Sequence, residues 1–473
     1  SLVAGYRSFA KNVGLLTLAN FGTKILSFLL VPLYTSVLTT NEYGTYDIAV
    51  TTIGVLVPLL TQNVVDAVLR FSMDKNVDKG GVLSIGIKHF LISLVPVVLV
   101  LIANSVFGVS PVLGELSPLD RLRYVSQALS GIVLYYVRGI NRFTDIAVSS
   151  VMCSALIIGC NIVFLVVFQW GLSGYFLANI VGPLLQCGYL LKRLKLHGVN
   201  PFRVDKQLEH EMLIYSRPMM ANSISWWVTN VSDRYVVPFF CGVAANGIYS
   251  VASKIPSILS IVQTVVGQAW TISAVEDCDP EASNCFFSNM NAAYNCAMVV
   301  VCSFIIACNL LLARILYAKE FYAAWQYAPF LTISIVFGAL AGYVGGVLAA
   351  VKDSKEFARS SVVGAVVNIA LNILTVPFIG ALGAAVATFV SYWVTWFMRV
   401  QKLKSYMRIR INIIRDYVSY ALLVLQAVLF FTPLSLVAVH SCEAVLVVII
   451  VVLYRREVFA VLRRGRSVVK KGK

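Results

Sequence analysis

The sequence has little charge for its length. Only 13% of its 473 residues are Asp, Glu, Lys or Arg, whereas 59% are hydrophobic. A soluble domain has roughly 25% charged residues. Lipid is the environment that can cover so much apolar surface, so composition overrides the two or three soluble domains that the length alone would suggest. We therefore expect an integral membrane protein.

Motifs of soluble enzymes are also missing. The chain has no GxxxxGK[ST] phosphate loop, no HExxH and no GxSxG, which argues against nucleotide hydrolysis and against a metal- or serine-dependent hydrolase. Its ten cysteines include no CxxC pair, and its four histidines are scattered, so neither a disulfide framework nor a metal or cofactor site is expected. No connecting loop is long enough for a catalytic domain, and we expect a protein that is not an enzyme.

Long apolar stretches are what the sequence has in abundance. A spanning helix needs about 20 apolar residues, and we count fourteen candidates. They cover about 12–38, 42–71, 82–107, 118–141, 144–169, 173–192, 212–240, 245–274, 286–312, 322–350, 357–378, 380–400, 413–432 and 434–454. The predicted fold class is an all-α polytopic membrane protein of about fourteen transmembrane helices.

The distribution of basic residues predicts the orientation. With the N-terminus placed in the cytoplasm, the inside segments hold 31 of the 38 lysines and arginines. This bias is typical of cytoplasmic loops. Both termini are therefore predicted to be cytoplasmic. The net charge of +16 is then explained by anionic lipids of the inner leaflet, and nucleic acid is not expected as a partner.

Two halves of the chain resemble each other. Tyr43-Gly44-Thr45-Tyr46 opens the second predicted helix as Asn246-Gly247-Ile248-Tyr249 opens the eighth, and Gly171-x-x-Gly174 opens the sixth as Gly380-x-x-Gly383 opens the twelfth. Six helices separate the copies, which predicts two six-helix lobes related by a parallel pseudo-two-fold repeat, with two added C-terminal helices. The predicted division is an N-lobe over 1–195, a cytoplasmic linker over 196–211, a C-lobe over 212–405, and the last two helices with a basic tail over 406–473.

Ionisable residues at membrane depth are costly and indicate function by default. Most of those found here lie on the first, second, seventh and eighth predicted helices, which are equivalent in the repeat, so we expect one shared cavity. Its cations, which would bind an anionic ligand such as a diphosphate, are Lys24, Arg70, Arg138, Arg234 and Lys254. Lys24 is the best ligand candidate, because no acidic residue is near it in sequence. Amides and indoles that suit a glycan are Asn20, Asn63 and Trp270.

The same charges have a structural interpretation. Asp47 with Arg234, and Asp233 with Lys254, can pair across the lobes as gate ion pairs on the outer side. Asp66 and Arg70 are spaced i,i+4 and can pair on one helix. Arg70 and Arg138 can also be ordinary cytoplasmic anchors, and amides such as Asn63 can bond neighbouring helices together. The residues alone do not decide between these roles.

Several motifs resemble the polysaccharide-transport family, the Wzx-type O-antigen and lipid-linked oligosaccharide flippases. They are Pro32-Leu33-Tyr34, Glu42-Tyr43-Gly44-x-Tyr46-Asp47, Asp66-Ala67-x-x-Arg70-Phe71, Ser232-Asp233-Arg234-Tyr235, Gly247-Ile248-Tyr249-Ser250-Val251-Ala252-x-Lys254 and Asn368-Ile369-x-Leu371-Asn372. The family lies in the multidrug/oligosaccharidyl-lipid/polysaccharide exporter superfamily.

The resemblance implies a function. It implies alternating access by two lobes in the bacterial cytoplasmic membrane, moving a polyprenyl-diphosphate-linked oligosaccharide (a precursor of O-antigen, capsule, teichoic acid or a similar glycan) to the outer leaflet. It also implies that Lys24, Arg70, Arg138 and Lys254 meet the diphosphate. A monomer is expected, and other glycan-assembly membrane proteins are left open as partners. Whether a proton or a sodium ion is coupled to transport cannot be read from the sequence.

Three other functions compete with a flippase. A multidrug or cation exporter of the same superfamily would need deep acidic residues, whereas the mid-depth charge of the first helix is Lys24. A membrane-embedded glycan polymerase or ligase would be expected to have a large outer loop with catalytic side chains. A non-transporting scaffold would have no reason to bear the cost of buried cations.

Overall fold

The computed structural model of the chain describes residues 24–25, 28–107, 118–194, 199–264, 283–350, 354–406 and 412–459. These segments are helices joined by short turns, and they contain no β-strand. The all-α polytopic fold is therefore confirmed. Every predicted span that lies wholly within the described residues coincides with a helix or with a pair of helices that follow each other directly. The chain divides into two compact units, Ser1–Arg234 and Tyr235–Lys473, and each is described by itself.

The first unit contains nine helices among the residues described, with its last helix extending into the second unit. They are α1 Val31–Val37, α2 Thr40–Leu60, α3 Val64–Ser72, α4 Lys79–Phe107, α5 Pro118–Gly139, α6 Phe143–Asn161, α7 Gly171–Leu194, α8 Lys206–Val231 and α9 Asp233–Cys241. Helix α6 continues as a π-helical turn over Ile162–Val167. Helix α8 begins at Lys206, so the end of the predicted 196–211 linker is helical. The division into lobes by the repeat stays a prediction.

The second unit is also built of helices in the part of the chain that the structure describes. Its helices are α10 Val243–Ala252, α11 over 254–264, α12 Ser283–Ala307, α13 Asn309–Leu316, α14 Ala328–Ala350, α15 Ser354–Ile379, α16 Ala381–Leu403, α17 Ile413–Leu429 and α18 Leu436–Leu453. A 3-10 segment, Lys319–Gln326, precedes α14.

Eight of the described helices are long and apolar enough to cross a membrane, and the bent pair α12–α13 makes up to nine. The other predicted spans, as far as the structure describes them, are helical but shorter, more polar or interrupted. Helix α2 ends at Leu60 and α3 begins at Val64, so the second predicted span is broken. The ninth predicted span bends by 64° at Cys308. These breaks are differences from the continuous helices that the hydropathy predicts.

The opening glycines of the repeat share a positive φ, and each is followed by a closely packed glycine. Gly171 and Gly380 precede or begin α7 and α16 with φ of +52° and +64°. Three residues later, a Cβ on Gly174 would lie 3.0 Å from the Cβ of Phe164, and one on Gly383 would lie 2.8 Å from the carbonyl carbon of Thr375. In each unit a left-handed glycine starts the helix and a second glycine allows it to pack tightly on the preceding segment.

A buried arginine joins three helices of the second unit. Arg399 of α16 is 5% exposed, and it donates to Ser360 Oγ at 2.9 Å, to Ser361 Oγ at 2.8 Å and to the carbonyl oxygen of Ala341 at 2.7 Å. Its guanidinium lies 4.3 Å from the Phe357 ring centroid. The charge is therefore solvated by hydroxyls, a carbonyl and a π-face that connect α14, α15 and α16.

Candidate substrate-binding site

The break between α2 and α3 is formed by two polar residues in the left-handed region. Gln62 and Asn63 have φ of 53° and 51°, and the backbone N–H of Asn63 donates to the carbonyl oxygen of Pro58 at 2.7 Å. Asparagine tolerates this conformation better than most residues because its short side chain bonds locally. Pro58, which cannot donate a backbone hydrogen bond, further weakens the end of α2.

Asn63 also determines the surroundings of Asp66. Its Nδ2 donates to Asp66 Oδ2 at 2.7 Å, and Asn63 is 7% exposed. Among the residues described, Asp66 has no ion pair with Arg70, although the i,i+4 spacing allowed one. The Asp66–Arg70 pair that the spacing left open is thus not formed among these residues, and the carboxylate instead accepts from the amide at the start of its own helix. Asn63 is a structural residue of the break.

The short helix α3 is packed on two sides near its end. A Cβ on Gly139 of α5 would lie 2.6 Å from Ser72 Cβ and 2.8 Å from the carbonyl oxygen of Leu69, so glycine is needed for the contact. On the α8 side, the rings of Phe71 and Tyr215 meet edge to face with centroids 6.2 Å apart. Helices α5 and α8 are thus anchored to the same turn of α3.

Three exposed arginines flank these contacts. Arg70 follows Leu69, Arg138 precedes Gly139, and Arg217 lies two residues after Tyr215. Arg217 Nε donates to Gln62 Oε1 at 3.2 Å, while its two Nη groups, like the guanidinium groups of Arg70 and Arg138, have no hydrogen-bond partner in the part of the chain that the structure describes. Arg70 and Arg138 were predicted from the sequence, whereas Arg217 was not.

A second charged cluster fixes α8 to α4. Glu209 accepts from Lys88 Nζ at 2.7 Å and contacts His89 Nε2 at 2.9 Å. Burial alone would raise the pKa of Glu209, but the hydrogen bonds and charges of Lys88 and His89 outweigh it and hold that pKa below its ordinary value. This cluster fixes the start of the helix that carries Arg217.

The other end of α8 lies beside an ion pair and an aromatic cluster. Arg234 Nη1 is 3.0 Å from Asp47 Oδ2, with side chains 14% and 19% exposed, so the predicted pair is present. Trp227 Nε1 donates to the carbonyl oxygen of Thr51 at 3.0 Å. The residues of the Tyr-Gly-x-Tyr motif belong to a buried stack formed by Tyr34, Tyr43, Tyr46, Tyr175 and Phe176. The motif therefore packs α1, α2 and α7 together. The gate function of the Asp47–Arg234 pair stays a prediction.

The remaining predicted residues are spread over both units. Lys24 is exposed, Asp233 is buried at the start of α9, and Lys254 lies in α11 of the second unit, partly buried. Asn20 and Trp270 lie outside the described residues. The structure thus brings together Arg70, Arg138 and the unpredicted Arg217 around α3, and it places Lys24 and Lys254 on other elements.

Comparison with known proteins identifies the family. A family model described as "Polysaccharide biosynthesis protein" matches residues 9–271, which is more than half of the chain. The chain belongs to this polysaccharide biosynthesis family. A search of curated protein sequences found no match.

Solved structures show which fold this family member has. The lipid II flippase MurJ in an inward closed conformation superposes with a TM-score of 0.70 at 16% identity, over 95% of this chain and 98% of that one. An inward-facing MATE multidrug transporter of the MOP superfamily gives 0.64 at 12% identity, over 81% and 95%. A MOP superfamily transporter from Pyrococcus furiosus gives 0.51 at 14%, over 84% and 94%. At these identities the likeness shows the fold, which is that of the MOP transporters.

Proposed function

We propose that the protein is a flippase that moves a polyprenyl-diphosphate-linked oligosaccharide from the cytoplasmic to the outer leaflet of a bacterial cytoplasmic membrane. The observation that supports this most is the arginine set around α3, which is Arg70, Arg138 and Arg217. Each is exposed and has uncommitted guanidinium nitrogens among the described contacts. Membership of a polysaccharide biosynthesis family and a fold shared with a lipid II flippase agree with a substrate of this class.

The chemistry of the set suits a diphosphate. A guanidinium presents planar pairs of N–H donors that match phosphate oxygens bidentately. Gln62 orients Arg217 through Nε alone, which leaves both Nη groups to point at a ligand. By the predicted orientation, α3 ends on the cytoplasmic side, where a lipid carrier loaded by cytoplasmic enzymes presents its diphosphate. Lys24 and Lys254 are proposed as further cations on the path of the lipid.

The proposed transport cycle is alternating access without covalent chemistry. The diphosphate binds the arginines, the glycan enters the hydrated interior, and the polyprenyl tail stays in lipid. The Asp47–Arg234 ion pair on the predicted outer side opens and closes with the cycle. A ligand shifts such an equilibrium only by its differential affinity for the two states, and neutralising three arginines in one state supplies that difference.

A multidrug or cation exporter is the second candidate, because MATE transporters share the fold. Export of cations would place carboxylates where the ligand binds. In the first unit, however, the carboxylates Asp47, Asp66 and Glu209 are already bonded to Arg234, Asn63 and Lys88. Near α3, the exposed guanidinium groups of Arg70, Arg138 and Arg217 favour an anionic substrate.

The decisive experiment measures flipping of a labelled polyprenyl-diphosphate oligosaccharide in proteoliposomes. Wild type is compared with Arg217→Ala and Arg138→Ala, and Arg121→Ala is the matched control because it is an exposed arginine at the opposite end of the same helix as Arg138. A hydrogen bond to a charged group contributes about 1.5–3 kcal/mol, so each site variant is expected to lose roughly tenfold or more in initial rate. Arg121→Ala should flip as wild type does.

The outcomes separate the two candidates. Transport of the lipid that is lost in both site variants but kept in Arg121→Ala supports the flippase. If wild type does not move such a lipid and instead exports an organic cation, the proposal is wrong. Equal rates in all variants would remove the arginines from the substrate path.

A further inference from the structure

Helix α18 of the second unit carries one carboxylate within a strongly apolar span. The helix Leu436–Leu453 has a mean hydropathy of 2.7, and Glu443 lies in its first half with a side chain that is 1% exposed. A carboxylate in this position is costly unless it is paired or protonated. The flippase mechanism proposed above does not use this residue.

Glu443 is bonded to an amide of the neighbouring helix. Gln426 of α17, which is fully buried, donates from Nε2 to Glu443 Oε2 at 2.8 Å and reaches the carbonyl oxygen of Ser303 in α12 at 3.4 Å. The contact therefore joins α12, α17 and α18. A carboxyl group and a primary amide can form two hydrogen bonds with each other, and one of these is present here.

The second hydrogen bond between these two side chains is absent, because an acceptor oxygen remains on each of them. Glu443 Oε1 and Gln426 Oε1 are both buried, and neither has a hydrogen-bond partner among the described residues. No Lys, Arg or His nitrogen of the described chain forms an ion pair with Glu443 within 4.0 Å. Two acceptor oxygens without a donor cannot satisfy each other, and leaving a buried polar atom unbonded costs free energy.

A single proton on the carboxyl group supplies the donor that is missing between the two oxygens. A carboxylic acid and a primary amide form two parallel hydrogen bonds when the acid O–H donates to the amide oxygen while the amide N–H donates to the acid carbonyl. We propose that Glu443 binds a proton on Oε1 and donates it to Gln426 Oε1, so that Glu443 is a proton-binding site in the second unit. The inference is independent of the lipid substrate and adds to the proposed function.

A groove connects this site to the surface of the second unit. It has a volume of about 560 Å³ and is lined by Phe304, Ala307, His440, Glu443, Ala444 and Val447 together with further valines of α18. His440 lies one turn before Glu443 and is exposed. By the predicted orientation α18 begins on the outer side, so the groove connects Glu443 to the outer side of the membrane.

Few other titratable groups face Glu443. On α18 the nearest are His440 and Cys442, and on α12 the neighbour of Ser303 is Cys302, which is buried. On α17 the charged pair Arg415 and Asp416 lies ten or more residues before Gln426, about 15 Å along the helix. The occupant of the site is therefore a proton taken up and released through the groove.

Infrared spectroscopy of the whole protein in lipid nanodiscs tests this directly. A protonated carboxylic acid has a C=O stretching band that a carboxylate and an amide lack. The difference spectrum of wild type minus Glu443→Gln at neutral pH is expected to contain this band, shifted in D₂O. Glu211→Gln, an exposed position of α8, is the control and should change carboxylate bands alone. Thermal unfolding checks that Glu443→Gln, which keeps shape and hydrogen-bonding capacity, still folds.

A second measurement uses wild type without substitution. An apolar carbodiimide adds the carboxyl oxygen to its central carbon while the acid proton moves to nitrogen, and the product rearranges to a stable N-acylurea. Because the reaction needs the acid form in an apolar place, mass spectrometry is expected to find the label on Glu443 of wild type and to find none at this position in Glu443→Gln. If Glu443 is unlabelled and the acid band is unchanged by Glu443→Gln, the proposal is overturned. A site that holds a sodium ion on an ionised carboxylate would give that second result.

Discussion

At the scale of single residues, the ion pair between Asp47 and Arg234 is the site contact that sequence and structure share. The atoms are 3.0 Å apart and the side chains are 14% and 19% exposed. A partly buried pair resists loss of one partner more than loss of both, because the remaining charge is left uncompensated. The ion pair lies next to the tyrosine stack that packs α1, α2 and α7 of the first unit together.

Reversing this pair tests whether its charges act together. Asp47→Asn and Arg234→Gln are each expected to lower the free energy of unfolding by about 1–3 kcal/mol. The reversed double variant Asp47→Arg with Arg234→Asp should recover part of the loss. Thermal unfolding in detergent gives the coupling energy of the double-mutant cycle. Additive losses would mean that the two charges contribute separately.

Glu209 gives a prediction for the dependence of stability on pH. Lys88 and His89 hold the pKa of Glu209 below its ordinary value, so the ionised form stabilises the folded state. This contribution is fully present above the unfolded pKa of about 4.3 and is lost as the pH falls through the lower folded pKa. Wild type should therefore exceed Glu209→Gln in stability by about 1–3 kcal/mol at neutral pH, with the difference vanishing in acid. Glu211→Gln, two residues later and exposed, should not show this.

The residues that the sequence did not predict are bound by partners far away in the chain. Arg217 counts among the positive residues of the predicted inside loop, and its partner Gln62 is 155 residues distant. Arg399 was likewise counted as a cytoplasmic charge, although the structure buries it among serines 38 and 39 residues away. Local pattern and charge bias contain no information about such contacts, whereas Arg70 and Arg138 could be predicted from charge and position alone.

At the scale of elements, hydropathy predicted where helices lie and missed where they break. The stretch 42–71 is predominantly apolar, but α2 ends at Leu60, where Gln62 and Asn63 adopt a left-handed conformation and bond to Arg217 and Asp66. The bend at Cys308 and the π-helical turn at Ile162–Val167 also depart from a straight α-helix. An average of hydropathy over some 20 residues does not detect such local departures.

The break at Asn63 can be tested with two substitutions. Asn63→Ala keeps the strained conformation, which costs a non-glycine residue about 1–2 kcal/mol, and it also loses the bond to Asp66. Asn63→Gly loses the same bond but adopts the conformation freely. We expect alanine to destabilise the protein more than glycine, as measured by thermal unfolding, and flipping to fall in parallel. Equal losses in the two variants would mean that the side-chain bond matters and the backbone conformation does not.

At the scale of the whole molecule, the internal repeat stays a prediction of the sequence, and one local feature of both units agrees with it. Gly171 and Gly380 both have positive φ and both precede a close glycine three residues later. Duplicated local geometry of this kind is typical of transporter folds built from parallel repeats.

The repeat predicts matched effects of alanine at its two opening glycines. A Cβ on Gly171 would meet Glu42 Oε1 at 3.5 Å, and one on Gly380 would meet Cys241 Sγ at 4.0 Å, so space is available at both and strain of the backbone acts alone. Gly171→Ala and Gly380→Ala should each lower the free energy of unfolding by about 1–2 kcal/mol. Gly188→Ala, in the same helix as Gly171 and with no atom within 4 Å of the new Cβ, should instead stabilise by about 0.5–1 kcal/mol. Unequal losses at the two repeat positions would show that their turns are not equivalent.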